Sequence, residues 1–286
     1  MRRGTIPFAL PPFQGWVRRI VLACAAVFFV QVLLGAYAPK LKEYFEIYAS
    51  LVPVGVIGHG FIWQLVTYSF VHQTLLHLLG NMLTLWMVGS LEEMEWGKQR
   101  FLELYFLSVV GAAVTTILAA YLHLFRTDPN NVVMGASGGT MGLLMALAVL
   151  DGDREFMMLL FFVIPVRLKV KYLVAIIAFG VFIATIQAAD NVANVAHVGG
   201  LLCGFLWAKF VPRRGLAFEA SEAYYGVHNA WHRWKRRQAA KKFEVYMRKS
   251  EREIPRFDDK GNYIPPDDDA PRKPNGDSGT GSKWVN

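Results

Sequence analysis

Residues 194–204 read NVAHVGGLLCG, and this stretch decides how the chain is interpreted. It lies in an apolar run, Asn191 to Ala208, that is long enough to cross a membrane as a helix. At about 100° per residue, His197, Gly200 and Gly204 lie within about 60° of one another on the helix surface. A lone histidine in such a helix usually serves packing. Here it heads a glycine groove, which favours close contact with a second glycine-faced helix.

A candidate for that second helix begins at GASGG, residues 135–139, and carries Gly142 one turn later. Small residues spaced by four positions let a neighbouring backbone approach closely. A serine flanked by glycines at a helix start, such as Ser137, can also leave its hydroxyl and its backbone N–H open to a reactant. Helix packing explains the pattern equally well, so the motif alone is a weak signal.

A third polar site occurs in the apolar run Phe70 to Leu91, where His77 and Asn81 are about 40° apart on one helical face. On the same helix His72 would lie about 140° from His77, away from that face. Polar side chains are costly inside a membrane and therefore point to function. The alternative is that His77 and Asn81 tie this helix to a neighbour by hydrogen bonds.

The composition supports a membrane protein. Of 286 residues, 54% are hydrophobic and only 18% are charged, whereas soluble domains have about 25% charged residues. Lys209 and the residues after it, here called the tail, contain 17 of the 30 Lys and Arg and 11 of the 22 Asp and Glu. The net charge of +8 therefore divides into +2 for residues 1–208 and +6 for the tail. We therefore expect a polytopic membrane protein with a basic tail, and we exclude an ordinary soluble enzyme.

Cysteine and metal chemistry contribute little to the interpretation. Cys24 and Cys203 lie in apolar runs and predict no disulfide framework, and no spacing typical of a zinc site is present. The N-terminus lacks the pattern of a cleaved signal peptide, so we expect the first apolar run to be retained.

Six membrane spans are predicted from the apolar runs, in an all-α bundle. Phe156 to Val166 is only 11 residues long and contains Pro165, which favours an interfacial or re-entrant piece over a seventh span. Lys40 to Trp63 is predicted to be a long apolar loop lying partly in the membrane. The predicted spans are Ile20–Ala38, Phe70–Leu91, Leu104–Phe125, Pro129–Leu150, Tyr172–Ala189 and Asn191–Ala208.

Six spans also suit the charges, because Lys and Arg then concentrate on the side that holds both termini. The positive-inside rule predicts that this side is cytoplasmic, so the protein is expected in the cell (inner) membrane. The second, fourth and sixth spans then all run from outside to inside. His77 with Asn81, Ser137 and His197 would therefore lie at a similar depth near the outer surface.

Together these residues can perform acyl transfer. A serine with a histidine in reach supplies a nucleophile and a general base. His77, Asn81 and the Ser137 N–H can donate hydrogen bonds to an oxyanion. No carboxylate is predicted at the same depth, and Asp190 is more simply a loop residue. The residues therefore predict a Ser–His dyad instead of a triad.

At these positions the chain resembles the rhomboid intramembrane serine proteases over roughly residues 16–210. HLLGN at 77–81 is similar to the family's HxxxN, GASG at 135–138 to its GxSG, and AHVGGLLCG at 196–204 to its AHxxGxxxG. Each motif is weak alone, but their order and spacing are specific. Further matches lie before and after the second span: Trp63, Thr67, Phe70, His72, Glu93, Gly97 and Arg100.

The resemblance implies a serine endopeptidase without a cofactor, with Ser137 as nucleophile, His197 as base and His77 and Asn81 as oxyanion donors. It implies transmembrane segments of other membrane proteins as substrates, cut near their outer ends at a small residue. The fifth span and the loop Asp190–Asn194 would form the gate. Met141 stands where the family usually has an aromatic residue beside the catalytic histidine, which predicts a slower reaction.

Three segments are expected: a cytoplasmic N-terminal segment at 1–15, a six-helix domain at 16–212 and a basic, partly disordered cytoplasmic tail at 213–286. In the tail, residues 224–249 suit either a membrane-surface helix or a solvated charged helix, and residues 254–286 are expected to be disordered. The expected partners are transmembrane substrates and membrane lipid, with no nucleic acid, and the tail's partner is open.

The alternative function is a non-proteolytic rhomboid-like protein that binds membrane helices. A transporter is disfavoured, because the interiors of the predicted spans lack a carboxylate or a cation.

Overall fold

The computed structural model describes residues 11–160, 164–187, 192–211, 216–249 and 256–264. These residues fall into two compact units divided between Phe218 and Glu219, and most are helical, so the predicted helical class is confirmed for the bulk of the chain. The helices are α1 Gly15–Tyr37, α2 Pro39–Ala49, α3 Pro53–His59, α4 Gln64–Thr67, α5 Leu75–Thr84, α6 Ser90–Trp96, α7 Lys98–Tyr121, α8 Ser137–Leu150, α9 Val170–Gln187, α10 Val192–Phe210 and α11 Leu216–Lys249.

Among the described residues, four helices are long and apolar enough to cross a membrane, namely α1, α7, α9 and α10. A fifth crossing is possible where Gln64–Phe70 and Leu75–Trp96 form a pair bent by 101°. α8 is apolar but has only 14 residues, because the predicted fourth span is helical only from Ser137 onward. The chain is thus a multi-pass membrane protein, although helix length alone supports four or five crossings and not six.

The second predicted span begins later than the apolar run suggests. Helix α5 starts at Leu75 because Thr74 adopts an extended conformation and its hydroxyl accepts the N–H of His77 at 3.2 Å. A π-helical stretch, Leu85–Gly89, then joins α5 to α6, so the helix continues to Trp96. The cap places His77 in the first turn of α5.

The segment between the first two spans, predicted to be a loop, is largely helical. α2 and α3 begin with Pro39 and Pro53, at the position where proline suits a helix start. Two contacts tie this segment to the loop before α8: Leu51 pairs with Val133, and the Val54 N–H donates to the Pro129 carbonyl at 2.9 Å. The first loop therefore supports the backbone that leads to Ser137.

α1 is fixed at its N-terminus by Glu93 of α6. The Glu93 carboxylate accepts the N–H of Trp16 at 2.8 Å and that of Val17 at 3.0 Å. These N–H groups have no partner within the helix, and a negative charge is favourable at a helix N-terminus. Glu93, noted above only as a family-like position, thus joins α1 to α6.

The described residues of Phe156–Val166, predicted to be an interfacial or re-entrant piece, lie in two antiparallel strands, β1 Glu155–Leu160 and β2 Ile164–Lys169. The all-α prediction is wrong here, because the backbone groups of β1 and β2 pair as an antiparallel ladder from Glu155–Lys169 to Leu160–Ile164. At the base of the two strands, Lys171 and Lys169 donate to Asp153 at 2.8 and 3.0 Å and lower the pKa of that carboxyl to about 2.

In the tail, the described part is more ordered than expected. After α11, β3 Arg256–Phe257 pairs with β4 Tyr263–Ile264 around a turn in which Asp258 accepts the N–H groups of Lys260 and Asn262. The prediction of disorder is therefore wrong for residues 256–264. Residues 265–286, Asp190 and the boundary at 212/213 lie outside the described residues, so what was predicted for them stays a prediction.

The centre of the first unit is α10, which packs against α7 and α8. A methyl group on Gly200 would overlap the carbonyl of Gly138, and one on Gly204 would overlap the carbonyl of Gly142. The two helices therefore touch backbone to backbone. The predicted glycine contact between the fourth and sixth spans is confirmed.

This packing predicts that Gly204→Ala destabilises the protein, because the carbonyl of Gly142 cannot move aside as a flexible side chain would. Overpacking of this kind costs about 1–3 kcal/mol, which corresponds to a fall in the midpoint of thermal unfolding of about 3–10 °C. Gly180→Ala in α9 is the matched control, since nothing lies within 4 Å of its added methyl. An equal effect of the two substitutions in detergent would contradict the packing argument.

Candidate active site

Ser137 is the first residue of α8 and follows a tight turn at Gly135, whose φ is +120°. A residue with a side chain rarely adopts that conformation, so the turn requires glycine. The turn is held by the Gly135 N–H, which donates to the Tyr68 carbonyl at 2.9 Å. At a helix start the Ser137 N–H has no partner within the helix and is free to donate to an anion.

His197 reaches Ser137 from the neighbouring helix α10. Its Nε2 lies 2.8 Å from the Ser137 Oγ, and both side chains are half-buried. The close approach follows from the glycine packing, because His197 lies one turn before Gly200, which contacts Gly138. With Nε2 unprotonated, His197 accepts the hydroxyl hydrogen of Ser137, which is the arrangement that general-base catalysis needs.

His77 and Asn81 of α5 lie beside the turn that precedes Ser137. A methyl group on Gly135 would come within 2.7 Å of the His77 ring and 3.7 Å of the Asn81 Nδ2. Asn81 donates one amide hydrogen to the His77 carbonyl at 3.0 Å, which leaves its second amide hydrogen available. The structure thus brings together all four residues singled out in the sequence.

No described carboxylate hydrogen-bonds to His197. Its hydrogen bond within the part of the chain that the structure describes is the one to Ser137. Asp190, the acidic residue considered above, lies outside the described residues.

A residue that the sequence reasoning set aside, His72, belongs to the same cluster. It is fully buried, and its Nε2 accepts the N–H of Ala136 at 3.4 Å while its Nδ1–H donates to the Phe70 carbonyl at 3.3 Å. The helical-wheel argument against His72 fails because α5 begins only at Leu75, so His72 lies in the preceding loop. Its position matters because Ala136 directly precedes Ser137.

A hydrogen-bonded network extends from His72 to the first two helices. The His72 N–H donates to Oε1 of Gln31 at 3.3 Å, and Nε2 of Gln31 donates to Glu46 of α2 at 2.9 Å. Glu46 also pairs with Lys42 at 3.1 Å. In the sequence, a polar contact of the first predicted span was indicated by Gln31, the only strongly polar side chain of that span.

A family model for the rhomboid domain matches residues 59–214, more than half of the chain, and this range contains Ser137, His197, His77 and Asn81. The chain belongs to the rhomboid family. The resemblance inferred from the three sequence motifs is thereby confirmed.

Curated relatives of this rhomboid include bacterial and plant proteins. It is 29% identical over 192 residues to rhomboid protease GluP of Bacillus subtilis (strain 168), covering 62% of this chain and 34% of that protein. It is 28% identical over 181 residues to RHOMBOID-like protein 5 of Arabidopsis thaliana, covering 60% of this chain and 50% of that protein. It is 29% identical over 151 residues to the putative rhomboid protease YdcA of Bacillus subtilis (strain 168), covering 52% of this chain and 67% of that protein. The chain spans about a third to a half of the first two relatives.

The roles of the site residues in this rhomboid remain predictions, as does the effect of Met141. Met141 is half-buried on α8, one turn after Ser137, and packs against the hydrophobic core. Its flexible thioether can fill the space of an aromatic ring but holds a neighbour less firmly.

We predict that His72→Ala slows the labelling of Ser137 by a fluorophosphonate about tenfold. Removing a buried acceptor costs about 1–3 kcal/mol, and the lost bond holds the residue before Ser137. His72→Gln should restore part of the rate, since its amide oxygen can accept and its amide nitrogen can donate. Exposed His59 supplies the control His59→Ala. If labelling fell only in proportion to the loss of folded protein, the positioning role of His72 would be refuted.

Proposed function

We propose that this protein is an intramembrane serine endopeptidase that cleaves transmembrane segments of other membrane proteins. The observation that carries the proposal is the 2.8 Å contact between Ser137 Oγ and His197 Nε2, held between two helices in backbone contact. The similarity to two Bacillus subtilis proteins named as rhomboid proteases, GluP and YdcA, supports the same proposal.

In the proposed reaction, Ser137 Oγ attacks the peptide carbonyl while its proton moves to His197 Nε2. The carbonyl oxygen becomes an oxyanion that accepts hydrogen bonds from the Ser137 N–H, the free amide hydrogen of Asn81 and the His77 ring. His197 then gives its proton to the departing amine. Water, deprotonated by His197, hydrolyses the acyl-enzyme and restores Ser137.

A dyad suffices in this proposal because the surroundings replace the orienting role of an acid. The α8–α10 contact fixes the backbone of His197 through Gly200, and the apolar interior around the pair strengthens the hydrogen bond to Ser137.

For the membrane, we propose six crossings by α1, the continuous helix Leu75–Trp96, α7, α8, α9 and α10, with both termini cytoplasmic. α8 is about 21 Å long, shorter than the roughly 30 Å hydrocarbon core. If its C-terminal end reaches the cytoplasmic interface, Ser137 lies inside the membrane thickness. The irregular turn at Gly135 and Ala136, directly before it, is tolerated there because it is buried in protein.

The protease domain in this proposal is residues 16–212, flanked by cytoplasmic segments at 1–15 and 213–286. A substrate helix would enter beside α9, whose outward side chains Ile176, Phe179 and Phe182 are exposed and apolar. The reaction needs no cofactor.

Cleavage of a model transmembrane substrate in liposomes tests the proposal. Ser137→Ala and His197→Ala are each expected to lower kcat by at least about 10³-fold, because each removes one member of a unit that acts together. Ser90→Ala is the matched serine control, since the buried Ser90 hydroxyl has no partner among the described residues. Cleavage by Ser137→Ala at the wild-type rate would refute the proposal. Substrate binding without cleavage in the unmodified protein would favour the helix-binding alternative.

The oxyanion roles are tested separately with Asn81→Ala and His77→Ala. Each is expected to reduce kcat by about 10²–10³-fold with little change in KM, because a donor to the oxyanion acts mainly in the transition state. A rise in KM with unchanged kcat would instead assign Asn81 or His77 to substrate binding.

A further inference from the structure

Helix α11 has 34 residues and belongs to the second unit from Glu219 onward, and its described aromatic side chains are exposed. Tyr224, Trp231 and Trp234 are exposed by 64%, 51% and 58%. Contiguous exposed apolar patches often mark sites of protein or membrane interaction. Such rings are, however, common at the boundary between membrane and water, where one side is apolar and the other wet.

Tyr224 and Trp231 share one side of the helix with basic residues, whereas Trp234 lies about 80° from Tyr224, at the flank. At about 100° per residue, five residues lie within about 60° of one another, and we call them the aromatic stripe. Tyr224 and His228 stack with ring centroids 5.8 Å apart, and Lys235 Nζ lies 5.2 Å above the Trp231 ring. The stripe consists of Tyr224, His228, Trp231, Lys235 and Lys242.

The opposite side of α11 is different in character. Arg233 and Arg237 lie about 180° and 140° away from Tyr224 and are exposed. A helix with Tyr224 and Trp231 beside two lysines on one side, and with Arg233 and Arg237 on the other, suits the plane of a membrane surface. Long basic side chains on either flank can then reach the headgroups.

The net charge of α11 indicates which kind of membrane surface suits the helix. Residues 216–249 contain eight Lys and Arg and three Glu, a net charge of +5. Anionic lipids of the cytoplasmic leaflet attract such segments. The charge therefore complements an anionic membrane better than a zwitterionic one.

The chain itself keeps the start of α11 near a membrane. α10, a candidate membrane helix, ends at Phe210, and α11 begins at Leu216. The connection from Phe210 to Leu216 can span at most about 20 Å even when fully extended. The first turns of α11 thus remain within reach of the headgroups at the end of α10.

We propose that α11 is a membrane-surface helix that binds anionic lipid through the aromatic stripe. The rings lie at the level of the headgroups, Lys235 and Lys242 contact lipid phosphates, and Arg233 and Arg237 face water. This resolves the two alternatives left open by the sequence in favour of the membrane. The proposal does not depend on protease activity.

Spin labels on the full-length chain in nanodiscs test this orientation, with Cys24 and Cys203 replaced by alanine. Labels are placed on the stripe through Trp231→Cys and Lys242→Cys, and on the opposite side through Arg233→Cys and Arg237→Cys. In discs that contain anionic phosphatidylglycerol, the stripe labels are expected to be accessible to oxygen and protected from a water-soluble nickel chelate. The labels at 233 and 237 should show the reverse, and the contrast should weaken in purely zwitterionic discs.

A charge-matched pair of variants separates specific orientation from general attraction. Lys235→Gln with Lys242→Gln should reduce the membrane-bound fraction of α11, measured from the label at Trp231→Cys, about fivefold or more per lysine. Arg233→Gln with Arg237→Gln removes the same charge and should have a smaller effect. Equal effects, or equal access of the nickel chelate to all four labels in anionic discs, would overturn the proposal. Protection of the stripe by added RNA but not by anionic lipid would assign the helix to nucleic acid instead.

Discussion

The backbone contact between α8 and α10 is the constraint on which the rest of the first unit depends. Gly138 and Gly142 present their carbonyls to Gly200 and Gly204, and no side chain separates the two helices. In lipid there is no hydrophobic force to press apolar helices together, so dispersion and close approach must hold them. The same contact sets the distance between Ser137 and His197, which means that stability and chemistry share one set of glycines.

Near this contact, one set of buried polar groups is joined by hydrogen bonds, because the apolar surroundings offer few alternatives. His72 accepts from the residue before Ser137 and donates to Phe70, while Gln31 connects His72 to Glu46. An unpaired polar group in hydrocarbon costs several kcal/mol, so each member of the network restricts the next. The chain before α8 is held by these hydrogen bonds, although it has no regular structure.

The sequence predicted correctly that the two glycine-faced helices pair and that Ser137, His197, His77 and Asn81 lie close together, because glycine spacing and intramembrane polar residues are strong signals. It failed for His72, since the argument assumed a helix that in fact begins after the cap at Thr74. The two strands between Glu155 and Lys169 were missed because a short apolar run is compatible with a strand, a helix or a re-entrant piece. Hydropathy reports burial in lipid or protein alike, so it also extended the fourth span over residues 129–136, which are not helical.

The short α8 explains why hydropathy and chemistry disagree about the fourth span. In the proposed reaction Ser137 meets both a peptide bond and water, so it cannot lie at the end of a full-length apolar helix without exposing the turn before it to lipid. Starting the helix at Ser137 instead places the free N–H groups of its first turn beside the hydroxyl. The apolar residues that precede it cover the turn by packing on the first loop, as Val133 does against Leu51. Val133 is apolar because it is buried in protein, and a hydropathy profile cannot distinguish that from burial in lipid.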